Sequence, residues 1–396
     1  MTKRILFLDH AGVLSGAELS LLDIARHYAD SSKVLLLADG PFRERLEQVG
    51  VAVEVLPAPH AVMGISREGN GGIRDLQAVP GALKLAWRVA RLARSYDVLY
   101  ANSQKALVVG ALAGKLACKP VIWNLRDILS ADHFSPVRRW LAVTLANHLV
   151  VRIISNSQAS AAAFVRSGGQ AERVRVVYNG IDPLLFEAVI PAEVDALKEE
   201  LNLAEVPIIG SFSRLACWKG QHVLLEALTH LPGVHALLVG EALFGEEAAY
   251  ARALRKRAKA LKIADRVHFL GFRQDIPQLM RLSDVVVHTS IAPEPFGRVI
   301  VEGMLARRPV VATRAGGTAE IIEDGVSGVL VPPGNAKALA TALAELLADP
   351  SRGRALARAG YAAALERFSL RAMLEGIEEQ LQQGLYDSGQ PQSRGR

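Results

Sequence analysis

Val285-Val286-Val287-His288, then Glu294-Pro295-Phe296-Gly297-Arg298-Val299-Ile300-Val301-Glu302, then Met304-Leu305: a β-branched run, a loop holding proline and glycine, and a second apolar run. The valines have the length and composition of a buried strand, and the second run that of an apolar helix. Glu294 and Glu302 are eight residues apart, about 2.2 helical turns, so Glu302 lies on roughly the same side as the loop. A helix start around Gly297–Val299 offers backbone N–H groups and a positive dipole end, which suit a phosphate. Gly297 lets a ligand approach the backbone closely. The spacing alone also fits a helix-end charge and a solvated glutamate.

The same strand–loop–helix unit recurs outward from this stretch. Ile208–Phe212, Ala236–Val239, Val267–Leu270, Val310–Ala312 and Gly328–Val331 are strand-like, with helical stretches between them. Nearer the N-terminus, Ile5–Asp9, Val34–Ala38, Val51–Leu56, Val98–Tyr100, Val121–Trp123, Arg152–Ser155 and Val174–Tyr178 repeat the pattern. Between these strands lie helical stretches such as Ser15–Tyr28 and Leu76–Ala93, the latter with Leu83, Trp87, Ala90 and Leu92 on one side. Apolar strands alternating with helices mean a parallel sheet covered on both faces. The alternation stops over 181–206, which holds Pro183, Pro191 and a charged helical patch.

The sequence therefore predicts two doubly wound α/β domains, 1–185 and 207–366, joined by a linker at 186–206. A last helix at 367–386 has no strand after it and is expected to cross back to the first domain. The polar residues 387–396 read as a disordered tail. Ligands of such sheets bind beyond the strand C-termini, at topological switch points, so two such domains are expected to face a ligand cleft.

Composition narrows the function. Of 396 residues 50% are hydrophobic, 22% charged and 6% aromatic, which excludes a disordered chain and an extended base-stacking surface. Two cysteines, Cys118 and Cys217, exclude a disulfide scaffold and a Cys-rich zinc site. No apolar run reaches the roughly 20 residues of a membrane span, and the N-terminal run is too short for a signal peptide. A cytoplasmic protein is expected. The net charge of +6 is lopsided: residues 1–190 hold 22 Lys/Arg against 16 Asp/Glu, and residues 191–396 hold 24 of each.

Two further stretches follow strands. In Ser211-Phe212-Ser213-Arg214-Leu215-Ala216-Cys217-Trp218-Lys219-Gly220, a planar fork (Arg214) and a mobile point charge (Lys219) suit a diphosphate. Gly12-Val13-Leu14-Ser15-Gly16-Ala17-Glu18 lacks the G-x-G-x-x-G of dinucleotide binding, which argues against a dehydrogenase.

Together these stretches resemble the family 4 glycosyltransferases, retaining enzymes of the GT-B fold with two Rossmann-like domains. The resemblance is carried by Ser15-Gly16-Ala17-Glu18, by Arg214 with Lys219-Gly220, and by the E-x7-E motif of Glu294, Phe296-Gly297 and Glu302. Val310–Thr313 with Gly316-Gly317, Asp324–Val331 and Asn179–Asp182 fit as well. The resemblance implies that the second domain holds a nucleotide diphosphate sugar, with UDP-glucose, a common donor, as the expectation. It assigns Glu302 to the ribose hydroxyls, and Arg214, Lys219 and the N–H groups near Arg298 and Val299 to the diphosphate. Glu294 with the backbone of Phe296 and Gly297 would hold the sugar hydroxyls. Gly240, Gly271 and Phe272 would line the base pocket, and Gly16 would approach the phosphates from the first domain. Catalysis would rest on Glu294, Arg214 and Lys219, through charge stabilisation of the leaving group. No cofactor and no metal are implied, and no D-x-D triplet occurs.

Where the family often carries a His-Asp or His-Glu pair near the reacting sugar, this chain has Arg126-Asp127. Arg126, His133 and His10 are the candidates for the reacting sugar or the acceptor. The acceptor implied is a saccharide or lipid-linked saccharide of cell-surface polysaccharide or glycolipid synthesis. The basic first domain would allow peripheral contact with the inner face of the membrane. A GT-B sugar-nucleotide epimerase is the alternative reading, and nucleic acid is not an expected partner.

Overall fold

The computed structural model describes residues 3–59, 73–131, 134–203, 205–243 and 245–389. The chain forms two compact units, Met1–Gly180 with Arg371–Arg396, and Ile181–Leu370.

Among the described residues of the first unit, seven strands form one sheet: β1 (Ile5–Asp9), β2 (Ser32–Leu36), β3 (Val53–Val55), β4 (Val98–Ala101), β5 (Val121–Leu125), β6 (Arg152–Ser155) and β7 (Val174–Val176). Their order is β3-β2-β1-β4-β5-β6-β7, and every pairing is parallel. The second unit repeats the plan with β8 (Ile208–Phe212), β9 (His235–Val239), β10 (Val267–Gly271), β11 (Val285–His288), β12 (Val310–Thr313) and β13 (Val329–Val331), in the order β10-β9-β8-β11-β12-β13. Its pairings are parallel too. Strand order reverses between β1 and β4 in one sheet and between β8 and β11 in the other. These are the switch points at which such sheets bind ligands.

The strands form where continuous apolar runs can be buried on both faces. All of β1, β4, β8 and β11 is buried. Phe7 meets Tyr100 edge-on at 5.2 Å, and Trp123 meets Phe164 at 6.0 Å. Each fully buried side chain of this size contributes about 2–3 kcal/mol. One face of the first sheet is covered by the helices Ile73–Ala93, Gln104–Ala117 and Pro136–Leu149, laid side by side.

Three readings change. Residues 186–206 are not a linker outside the two units: Leu184–Glu187 and Pro191–Glu200 are helices of the second unit. Pro191 opens a helix rather than breaking one, since its missing N–H costs nothing at the first position. Phe186 and Leu197 bury their side chains, and Arg273 reaches Glu200 at 3.1 Å. The first unit accordingly ends at Gly180, and the second spans 181–370. In the helix Ile73–Ala93 the buried side is Leu85, Ala86, Val89, Ala90 and Ala93, whereas Leu83 and Trp87 face outward. Finally, Asp387 closes the last helix, Leu370–Asp387, instead of beginning a tail; residues 390–396 lie outside the described residues.

That last helix belongs to the first unit from Arg371 onward. Met373, Ile377 and Leu381 are buried. Glu378 pairs with Lys3 and accepts from Tyr28 Oη at 2.8 Å, and Asp387 pairs with Arg152 at 2.7 Å.

Candidate active site

The second unit gathers most of the expected residues at its switch point. The loops after β8 and β11 are laced together there. Ile291 N donates to Trp218 O at 2.8 Å, and Thr289 Oγ1 donates to Lys219 O at 2.8 Å. The loop after β12 pins the same segment from the other side: Gly317 N donates to Glu294 O at 2.8 Å. Gly297 sits at φ 111°, a left-handed turn open to glycine at little cost, and caps the helix Arg298–Leu305.

Lys219 and Glu294 form an ion pair. Lys219 Nζ donates to both carboxylate oxygens at 2.8 Å. Ser290 Oγ donates to Glu294 Oε2 at 2.9 Å, and His288 Nε2 lies 3.3 Å from the same oxygen. Thr313 Oγ1 donates to Ser290 O at 2.8 Å and steadies the arrangement from β12. Burial pushes the Glu294 carboxyl up, but the Lys219 ammonium and the His288 ring outweigh it and hold the group well below the usual carboxylate range. Lys219 Nζ also lies 4.2 Å from the centroid of the Trp218 ring. A small pocket opens among Ser211, Ser213, Lys219, His288, Ser290 and Val299, beside the helix start.

Arg214 stands on the same loop, its Nε 2.9 Å from Glu247 of the helix Gly245–Ala260. Arg298 and Glu302 are one turn apart on the capped helix and pair at 3.3 Å. Phe296 is buried against Phe368, ring centroids 5.7 Å apart, so only its backbone is available to a ligand. Gly240 and Gly271 are joined by a 2.7 Å backbone hydrogen bond, and the exposed Phe272 follows. Gly240 and Phe272 follow β9 and β10 and Gly271 ends β10, all on the opposite side of β8 from the E-x7-E loop.

In the first unit the expected residues also stand at strand ends. His10 follows β1, and its Nδ1 lies 3.2 Å from Oδ1 of the buried Asp9. Asp9 Oδ2 in turn accepts from Asn102 Nδ2 at 2.5 Å. Gly16 opens the helix Gly16–His27 behind a capping box of Ser15 and Glu18. Arg126 is tied into the unit: it donates to Asn102 Oδ1 at 3.2 Å, Asn179 Oδ1 at 2.6 Å and Ser20 Oγ at 2.9 Å. His133 lies outside the described residues.

Sequence reading missed His288, Ser290, Thr313 and Glu247. A histidine closing an all-valine strand directly before the motif loop was a usable signal for His288. The other three are common polar residues and gave none. Among the described residues no three His, Cys, Asp or Glu side chains are grouped to hold a metal ion.

A parallel-sheet unit whose switch point carries a cationic loop, a buried carboxylate and a glycine-capped helix start is the architecture of a nucleotide-binding GT-B domain. The chain matches the family models described as "Glycosyl transferases group 1" over residues 193–363 and "Glycosyl transferase 4-like domain" over residues 15–180. Anabaena HepE, whose crystal structures hold UDP with glucose or UDP-glucose, is 44% identical in the first of these complexes, with a TM-score of 0.88 over 96% of this chain and 99% of that one. The putative glycosyltransferase EpsD of Bacillus subtilis is 31% identical over 72% of this chain and 76% of its own. The lipopolysaccharide core biosynthesis glycosyltransferase LpsE of Rhizobium meliloti is 33% identical over 52% of this chain, and the match spans 57% of that relative. The chain belongs to the family 4 glycosyltransferases of the GT-B fold.

Proposed function

We propose that the protein is a retaining hexosyltransferase that takes glucose from UDP-glucose to a saccharide or lipid-linked saccharide acceptor in cell-surface polysaccharide or glycolipid synthesis. The observation that carries this reading is the Lys219–Glu294 pair beside the glycine-capped helix, in a chain 44% identical to a protein crystallised with UDP and glucose.

In this reading Glu302 accepts hydrogen bonds from the ribose, and Arg214 and the helix start hold the diphosphate. Lys219 supplies positive charge where the leaving phosphate becomes more negative. Glu294, kept ionised, accepts from the sugar hydroxyls and fixes the ammonium of Lys219. Gly240, Gly271 and Phe272 flank the base, and Gly16 approaches the phosphates. The bond from the anomeric carbon to the phosphate oxygen breaks, and a bond to the acceptor oxygen forms on the same face. The acceptor proton passes to the leaving diphosphate, so no protein nucleophile is needed. His10, oriented by Asp9, contacts the acceptor, and Arg126 shapes that end of the first sheet. The reaction runs without a metal ion, and the basic first domain meets the inner membrane surface.

A thermal-shift screen of UDP, GDP and ADP tests the donor. Ligand at 100 times its dissociation constant stabilises by about 2.7 kcal/mol; a shift with GDP or ADP but not UDP contradicts UDP-glucose. Turnover that EDTA abolishes contradicts the metal-free reading. Epimerised sugar formed from donor alone would favour the epimerase.

A further inference from the structure

The three helices that cover one face of the first sheet have an outer surface that their packing does not explain. On Ile73–Ala93, Val79, Leu83 and Trp87 follow one another at four-residue spacing and are 48%, 51% and 54% exposed. Lys84, Arg88 and Arg91 run beside them, and the guanidinium of Arg91 lies 5.1 Å from the Trp87 ring centroid. On Pro136–Leu149, Val137, Trp140 and Leu141 share the outward side, with Trp140 66% exposed. Gln104–Ala117 lies between the two and ends in the exposed Lys115 and Leu116.

Over most of this layer the charge has one sign, Asp75 near the start of Ile73–Ala93 being the exception in these helices. Residues 79–94, 104–117 and 136–149 hold eight Lys or Arg and no Asp or Glu. The two tryptophans also stand at similar heights. At 1.5 Å per residue, Trp87 is about 9 Å from the C-terminus of its helix and Trp140 about 14 Å from that of its own.

Exposed tryptophan costs free energy in water, and an apolar stripe edged by cations is the pattern of helices lying in a bilayer interface. Tryptophan settles at headgroup depth, while Lys and Arg meet anionic lipid, each cation adding about fivefold in affinity. We propose that the outer face of these three helices docks the protein on an anionic lipid surface, with Trp87 and Trp140 as its anchors. This rests on the membrane contact of the proposed function and gives it a place. Lipid is favoured over a protein partner because the anchors stand on convex helix backs, which a deformable surface can follow.

Cosedimentation of the full chain with vesicles of phosphatidylcholine and phosphatidylglycerol (1:1), without sugar nucleotide, tests this. The expected result is binding that is absent on pure phosphatidylcholine, falls at high salt and shifts tryptophan emission to the blue. The pair Lys84→Glu with Arg88→Glu should lower the partition coefficient by on the order of 25-fold or more, and Trp87→Ser with Trp140→Ser should remove the emission shift. Both variants should keep the UDP-induced thermal shift, because none of the altered residues belongs to the proposed donor site. Failure of the donor reading therefore appears in that shift, and failure of the docking face only in the pelleting. Absence of wild-type binding, or binding by both variants equal to wild type, overturns the proposal. So does a vesicle-free dimer that the tryptophan variant abolishes, which would assign the face to a second copy.

Discussion

At the residue scale, the Lys219–Glu294 pair couples charge to stability. Because Glu294 is held below its usual range, its stabilising contribution is fully present above about pH 5 and is lost progressively as pH falls below that. Wild-type melting should therefore show no Glu294 titration between pH 5 and 8. Removing Lys219 reverses the sign. Burial, the largest influence on this carboxyl, then loses its main opponent, and the charged form becomes costly. Lys219→Ala should cost about 3 kcal/mol near pH 8, as expected for one partner of a buried pair, and less near pH 5. A melting penalty that is constant over this range would show that His288 and Ser290 suffice to hold the charge. Glu302→Ala should weaken UDP binding by about 0.5–1.5 kcal/mol, more if the lost bonds are charge-assisted, with little effect on melting. Titration calorimetry with UDP reads this directly, and unchanged affinity removes Glu302 from the ribose site.

At the scale of elements, the site depends on loops that only glycine can turn. Gly240 has φ 130°, and a Cβ there would fall 2.2 Å from the carbonyl oxygen of Ser213. Gly233 also has positive φ, at 74°, but its surroundings are open. Gly233→Ala should cost about 1 kcal/mol from backbone strain alone. Gly240→Ala must also displace the loop that carries Arg214, so a loss of 2–3 kcal/mol or more and weaker UDP binding are expected. Chemical denaturation of the two variants side by side checks the difference. Elements also show where sequence reading succeeded and failed. The thirteen strands of the described residues are found where apolar runs were read; central strands such as β1, β4, β8 and β11 are buried on both faces and have no polar side to blur the pattern. The helix carrying Leu83 and Trp87 differs from the reading that put Leu83, Trp87, Ala90 and Leu92 on one side: Leu83 and Trp87 point outward, whereas Ala90 is buried and Leu92 packs against the core. Residues 186–206 were misread because proline marks a break and a first helical turn equally well.

At the scale of the molecule, the last helix completes the first unit from the far end of the chain. Deleting residues 371–396 exposes the pockets of Met373, Ile377 and Leu381 and removes the Glu378 contacts with Lys3 and Tyr28. At about 2 kcal/mol per buried side chain, the loss rivals the whole stability of an ordinary domain. The truncated chain should lose its first unit to limited proteolysis while the second survives; full protease resistance of both would show that the helix is dispensable. The distribution of charge belongs to this scale as well. The excess of the first 190 residues is partly concentrated on one layer of three helices, together with two exposed tryptophans.

The alternation of strand and helix, and with it two doubly wound sheets, is legible in the local apolar pattern. The sequence also placed Arg214, Lys219, Glu294 and Glu302 just beyond strands or on the helix that follows one, because strand length and glycine-bearing loops are local properties. What each of these side chains touches depends on the assembled fold. Lys219 and Glu294 are 75 residues apart and meet because β8 and β11 are neighbours at the switch point. Arg214 meets Glu247 and Arg126 meets Asn179 for the same kind of reason. Strand order is set by long-range pairing, and no short window of sequence contains it.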